Sequence, residues 1–214
     1  MVTRILVVAC VAVLAACGGG SGPSLPAVQG PPSAQNVAQN SSDFPGLSKC
    51  PESGSYDNYL KQEQTKAPDQ YQSDKTTWED LKASGANDSY VAVYAANASD
   101  CSQFAAGTPS GKVVYVYAIR FKDSSSASAS YKASAKDFHL DSSQVAQLQT
   151  AGATVAQGTA TGLGDNSIVL SIDIAGVAVY VALWQNKEFE VATVAFNEAT
   201  DAPTAATKIN GRIH

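Results

Sequence analysis

Few residues in this chain could do chemistry, and most have a reading other than catalysis. The four cysteines, Cys10, Cys17, Cys50 and Cys101, include no C-x-x-C pair, and the chain has only two histidines, His139 and His214. Neither zinc-ligand nor dithiol spacing is present. Serine is abundant, yet there is no G-x-S-x-G elbow and no S-x-x-K, so a nucleophilic serine lacks its base. His139 is expected as a polar helix end and His214 as the chain terminus. Glu188 with Glu190, and Glu79 with Asp80, could be imagined as glycosidase carboxylates. They read instead as exposed strand and helix edges, because a working acid needs burial to raise its pKa. Gly162-Leu163-Gly164-Asp165-Asn166-Ser167 misses G-x-G-x-x-G at its last residue. Alternating Ile168, Leu170 and Ile172 follow it, so no helix N-terminus stands behind the glycines to receive a phosphate. The expected role is a turn with Gly164 at positive φ and Asp165 as a turn or capping group. No cofactor, metal site or catalytic residue is expected, and the chain is read as a non-enzyme.

Tyrosine is the one unusual stock, with nine in the chain. Tyr90, Tyr94, Tyr115, Tyr117 and Tyr180 fall in strand patterns, and Trp184 lies beside a turn. Amphipathic rings suit a glycan or peptide surface, which makes Tyr115, Tyr117 and Trp184 the candidate ligand-binding residues. Core packing with hydroxyls at the rim is the competing reading. The formal charge is −5 with scattered cations, which excludes a nucleic-acid partner that needs phosphate neutralisation.

The elements that must position these residues follow from hydrophobic period. Ser55 precedes Tyr56, Tyr59, Leu60 and Glu63, a helical stripe ending before Pro68. Thr76-Thr77-Trp78-Glu79 reads as a capping box that opens a helix stopped by Gly85. Strand alternation runs over residues 89–96, with Val91, Val93 and Ala95 opposite Tyr90, Ala92 and Tyr94, and over 112–121, where both faces are apolar. Ala127, Tyr131, Ala135 and Phe138 mark a helix, and 144–150 a shorter one. Residues 154–161, 167–174, 177–184 and 188–196 form a strand meander with a turn at Ala175-Gly176. Ala202, Ala205, Ala206, Ile209 and Ile213 line a final helix with Pro203 in its first turn. The runs VYAIRFKD (116–123) and VATVAFNE (191–198) echo each other as strand-into-helix units. The predicted fold is α+β, one domain with helices on an antiparallel sheet.

The N-terminus carries an address. Arg4 and the apolar run from Ile5 to Ala16 have the shape of a secretion signal, well short of the roughly 20 residues of a membrane-spanning helix. The junction Leu14-Ala15-Ala16-Cys17 resembles the lipobox of bacterial lipoproteins. The resemblance implies cleavage after residue 16 and acylation of Cys17, with the protein held on the extracytoplasmic face of the cell membrane. Residues 17–43 are then the lipidated cysteine and a Gly/Ser/Pro linker, of coil span roughly 25 to 30 Å, that lets a body of residues 44–214 float clear of the head groups. Cys50 and Cys101 are left to pair in an oxidising compartment. Closing a loop of about 50 residues would stabilise the body by about 4 kcal/mol.

From about Tyr115 onward the chain is similar to small extracytoplasmic lipoprotein domains with a G-L-G-D turn, matched here by Gly162-Leu163-Gly164-Asp165, a meander and an Ala-rich last helix. Some of these are similar to PsbP and Mog1 type sandwiches used for binding or assembly. The expected function is a lipid-anchored envelope domain that binds a glycan or an envelope protein. The alternatives are an envelope hydrolase whose carboxylates assemble in the fold and a purely structural surface protein.

Overall fold

The computed structural model describes residues 32–66, 68–105, 111–137 and 141–214. Seven strands form one fully antiparallel sheet in the order β1-β2-β3-β7-β6-β5-β4. They are β1 (Ser48–Lys49), β2 (Ala86–Ala95), β3 (Val113–Phe121), β4 (Thr154–Gln157), β5 (Ser167–Ile174), β6 (Val177–Asn186) and β7 (Phe189–Phe196). The helices are α1 (Ala34–Ala38), α2 (Tyr56–Lys66), α3 (Pro68–Ala83), α4 (Ala98–Ala105), α5 (Ser124–Asp137), α6 (Ser142–Thr150) and α7 (Ala202–Gly211). The fold is therefore α+β. After β3 the chain crosses one face through α5 and α6 to the far edge, and the β4–β7 meander returns to lie against β3.

Alternation along the strands divides the core. Tyr90, Ala92, Tyr94, Val114, Val116, Ala118, Trp184 and Val191 point to the face covered by α1 and α7. Val91, Val93, Val113, Ile119 and Phe121 point to the face of α2, α3 and α4, which α5 and α6 continue over the meander. Both faces of β3 are thus buried, as its unbroken apolar run requires. Ala175 and Gly176, both at positive φ, make the two-residue turn that joins β5 to β6. Cys50 and Cys101 form a disulfide with Cα atoms 5.8 Å apart. Cys101 lies in α4, and Asn97 caps that helix by accepting the Asp100 N–H.

Three expectations change. The capping box at Thr76 opens nothing: α3 already starts at Pro68, and the Thr76 and Thr77 hydroxyls donate to the carbonyls of Gln72 and Ser73. A proline at the first helical position was the true signal. The strand-into-helix echo is not a repeat of structure. The β3–β7 register relates Phe121 and Phe196 by a twofold axis normal to the sheet, which would leave the following helices on one face. Instead α5 and α7 lie on opposite faces.

The third correction concerns the linker. Residues 32–43 belong to the body. Ala34, Val37 and Ala38 are fully buried against β2 and β3, and Phe44 packs on Tyr94 with the two rings tilted. Composition hid this segment, because five residues, Ala-Gln-Asn-Val-Ala, are too few to show a helical period. Polar contacts fix both of its ends. The Ala34 N–H donates to Asp88 Oδ2 at 2.8 Å, and Arg212, just past α7, donates through Nε and Nη2 to the Val37 carbonyl at 3.0 and 2.6 Å. The same guanidinium grips buried Asp43, with Nη2–Oδ2 at 2.7 Å and Nη1–Oδ1 at 3.1 Å.

A chain beginning at Phe44 should therefore be several kcal/mol less stable than one beginning at Pro32, since it loses the buried strap and leaves Arg212 without its partners. Arg212→Met should cost about 3 to 5 kcal/mol by stranding Asp43, and adding Asp43→Leu should recover most of it. Urea unfolding measures all three. Equal midpoints for the two chain starts would show that the strap contributes nothing.

Candidate functional site

The sequence-nominated aromatics do not meet. Trp184 points to the α7 face and is 0% exposed, enclosed by the core rather than presented beside a turn. The turn itself falls two residues later than expected, because β6 runs on to Asn186. Tyr115 and Tyr117 point to the opposite face, half-buried beneath α2, α3 and α4. Tyr117 packs on Tyr56 at a centroid distance of 5.0 Å, and Tyr115 on Phe104 at 6.0 Å. Burial pushes both hydroxyls above the ordinary tyrosine pKa.

The G-L-G-D segment sits at the end of the sheet where β3 finishes and β7 begins. Gly162 and Gly164 have φ of 75° and 117°, as a turn on glycine requires. Leu163 between them is buried in the core. Asp165 is an exposed residue of the turn, the first of its two expected roles. Ser167 holds the turn instead, its Oγ 2.6 Å from the Gly164 carbonyl, 3.0 Å from that of Gly158 and 2.6 Å from Thr161 Oγ1.

Around this turn lies an open concavity of about 390 Å³, formed by residues 162–166, Gln185, Asn186, Lys187 and Asn210. Its polar lining is dominated by amides that orient one another. Asn166 Nδ2 donates to Gln185 Oε1 at 2.7 Å, Asn186 Nδ2 to Asn210 Oδ1 at 2.8 Å, and Asn210 Nδ2 to the Leu163 carbonyl at 3.4 Å. An amide offers both donors and acceptors, so each of these bonds leaves hydrogen-bonding capacity for a ligand. A neighbouring concavity of about 580 Å³ shares Lys187 and adds Asn87, Arg120 and Lys122.

Sequence reading missed the two carboxyl groups that do converge. Glu63 on α2 is 0% exposed, and Asp74 on α3 lies against it. Burial, then the neighbouring Asp74 charge, raises Glu63 well above the carboxylate range, and burial raises Asp74 as well. The signal was available: Glu63 continues the stripe of Tyr56, Tyr59 and Leu60 and so had to face the sheet. Glu190, expected at an exposed edge, is buried too. Ser134 donates to it at 2.9 Å, and burial still raises its pKa. Glu79 is exposed as expected, 3.7 Å from Lys75. Glu52 closes on the disulfide, but with the sulfurs of Cys50 and Cys101 bonded to each other neither is a thiolate ligand. Cys17 and His139 lie outside the described residues.

No protein-family model matches the chain, and no curated protein does. Among solved structures, the extracellular domain of PknH from Mycobacterium tuberculosis aligns over 63% of this chain and 69% of that one, at 13% identity and a TM-score of 0.40. No helix among the described residues is long and apolar enough to cross a membrane.

Gly164→Ala should destabilise by more than about 1 kcal/mol through backbone strain alone, since a Cβ there meets no atom within 4 Å. Ser167→Ala should cost a similar amount by releasing the carbonyls it holds. Thermal midpoints check both, and a silent Gly164→Ala would mean the turn relaxes freely.

Proposed function

We propose that this chain is a lipid-anchored, extracytoplasmic binding domain of the bacterial envelope, without catalytic activity, and that the amide-lined concavity receives a polar, uncharged ligand, a glycan. The concavity carries the reading. Asn166, Gln185, Asn186 and Asn210 sit on strand and helix ends and are held by one another, so their donors and acceptors are arranged before a ligand arrives. Paired donors and acceptors match sugar hydroxyls, each of which both gives and takes a hydrogen bond. The disulfide supports an oxidising compartment. The convergent carboxyls support a non-catalytic role, because Glu63 is sealed between a helical hairpin and the sheet rather than opening on the concavity. The lipobox supports Cys17 as the anchor.

Titration of residues 32–214 with soluble oligosaccharides of hexose, pentose and N-acetylhexosamine units should find a ligand by calorimetry. Asn166→Ala and Asn210→Ala should each weaken binding about tenfold, the loss of roughly 1.4 kcal/mol from one amide, with little change in melting. Affinity untouched by both variants would remove the concavity from the reading.

Mass spectrometry of the mature N-terminus from the native host should find Cys17 diacylated or triacylated. An unmodified terminus would end the lipoprotein reading.

A further inference from the structure

The buried carboxyl pair has no part in ligand binding at the concavity, and its position is unusual for a structural device. Glu63 is wholly enclosed, and the hydrogen-bonding partner of its carboxyl group is the Asp74 carboxyl. Facing it are Asp74 of α3, Tyr56 and Tyr59 of α2 and Tyr115 of β3. Tyr117 extends the group toward Asp74 on one side and Glu190 on the other, its hydroxyl buried without a partner. Among the described residues no cation acts on Glu63. A carboxyl pair in such surroundings is compatible with packing while a shared proton leaves it a single negative charge, and both groups ionised would repel with little water to screen them.

The hairpin bearing this pair meets the sheet through a short set of apolar anchors. In α3 only Trp78 is fully packed, with Tyr71 and Leu81 half-covered; in α2 the apolar anchors are Tyr56, Tyr59 and Leu60. The disulfide fastens the chain before α2, and β2 fastens it after α3, so the hairpin between can part from the sheet without unravelling the remainder. We propose that the α2–α3 hairpin is an acid-locked flap over Tyr115 and Tyr117: one proton held between Glu63 and Asp74 keeps it closed, and loss of that proton lifts it from β3. Opening uncovers an aromatic surface that the closed state half-buries. A carboxyl group more basic in the folded state than in the unfolded chain gives stability that is complete below about pH 4 and is lost as pH rises through the folded-state value. The flap is therefore closed in acid and opens toward alkaline pH.

Hydrogen exchange followed by mass spectrometry from about pH 5 to about pH 9, corrected for intrinsic exchange rates, tests this directly. Peptides from residues 56–83 should lose protection by about tenfold or more, while those of β3 and β7 keep theirs. Glu63→Gln should hold the hairpin protected across the range, and Asp74→Asn, at a less enclosed position, should lessen the loss of protection at high pH by removing the facing charge if Glu63→Gln fails to fold. The proposal is overturned if the hairpin tracks β3 and β7 at every pH, or if the neutral variants keep the wild-type dependence. Restoration of protection at high pH by millimolar calcium would overturn it also, because the pair would then hold a cation instead of a proton.

Discussion

The guanidinium of Arg212 joins the two ends of the described chain, and one whole face of the core depends on that junction. It bonds the Val37 carbonyl and grips Asp43, so the strap of α1 and the following 3₁₀ turn (Ser41–Asp43) is clamped beside α7. The strap covers Tyr90, Ala92, Tyr94 and Val116 of β2 and β3, while α7 covers the meander side of the same face. The pair is largely buried, with side-chain exposures of 22% for Arg212 and 1% for Asp43. A hydrogen bond from Nη1 to Oδ1, the close Nη2–Oδ2 ion pair and the Val37 carbonyl acceptor offset its desolvation, a geometry a lysine could not reproduce. Arginine just past α7 is thus a structural requirement, because it ties the last helix to the strap.

Much of the fold was legible because alternation is a strong signal when both faces of a sheet are covered. The facing sets of β2 and β3 were assigned residue by residue from sequence, as were the α7 stripe from Ala202 to Ile213 and the Ala175-Gly176 turn. Long periodic elements announce themselves. The strap did not, because a five-residue helix of Ala, Gln, Asn and Val in a Gly/Ser/Pro-rich stretch carries no period, and its burial is decided by Asp88 and Arg212, which lie far away in sequence. The start of α3 was misplaced because a local capping pattern at Thr76 outweighed Pro68.

The candidate sites were less legible, for a different reason. Aromatic content could be counted, but whether a ring faces solvent depends on which helices cover it, and Trp184 and Tyr117 proved to lie on opposite faces. The amides of the concavity come from three separate stretches, around Asn166, Gln185 and Asn210, and no spacing rule brings such stretches together. Glu63 is the instructive case. A carboxylate within an apolar stripe is a local conflict, and such conflicts mark places where a sequence serves something besides packing.

Placement of the strap also changes where a bound ligand would be met. With residues 32–43 in the body, only residues 18–31 separate Cys17 from the folded chain, a coil span of roughly 20 Å, shorter than that of the longer linker expected from composition. The chain enters at the sheet end that carries the amide concavity: the Pro32 carbonyl accepts from Arg120 at 3.5 Å, and Lys187 lines the concavities on both sides. If Cys17 is acylated as proposed, the attachment favours this end toward the membrane, with the α2–α3 hairpin along one flank. Such a domain samples the envelope layer close to the head groups instead of floating clear of them. Its acidic charge resists adhesion to anionic lipid, which leaves the concavity accessible within that layer.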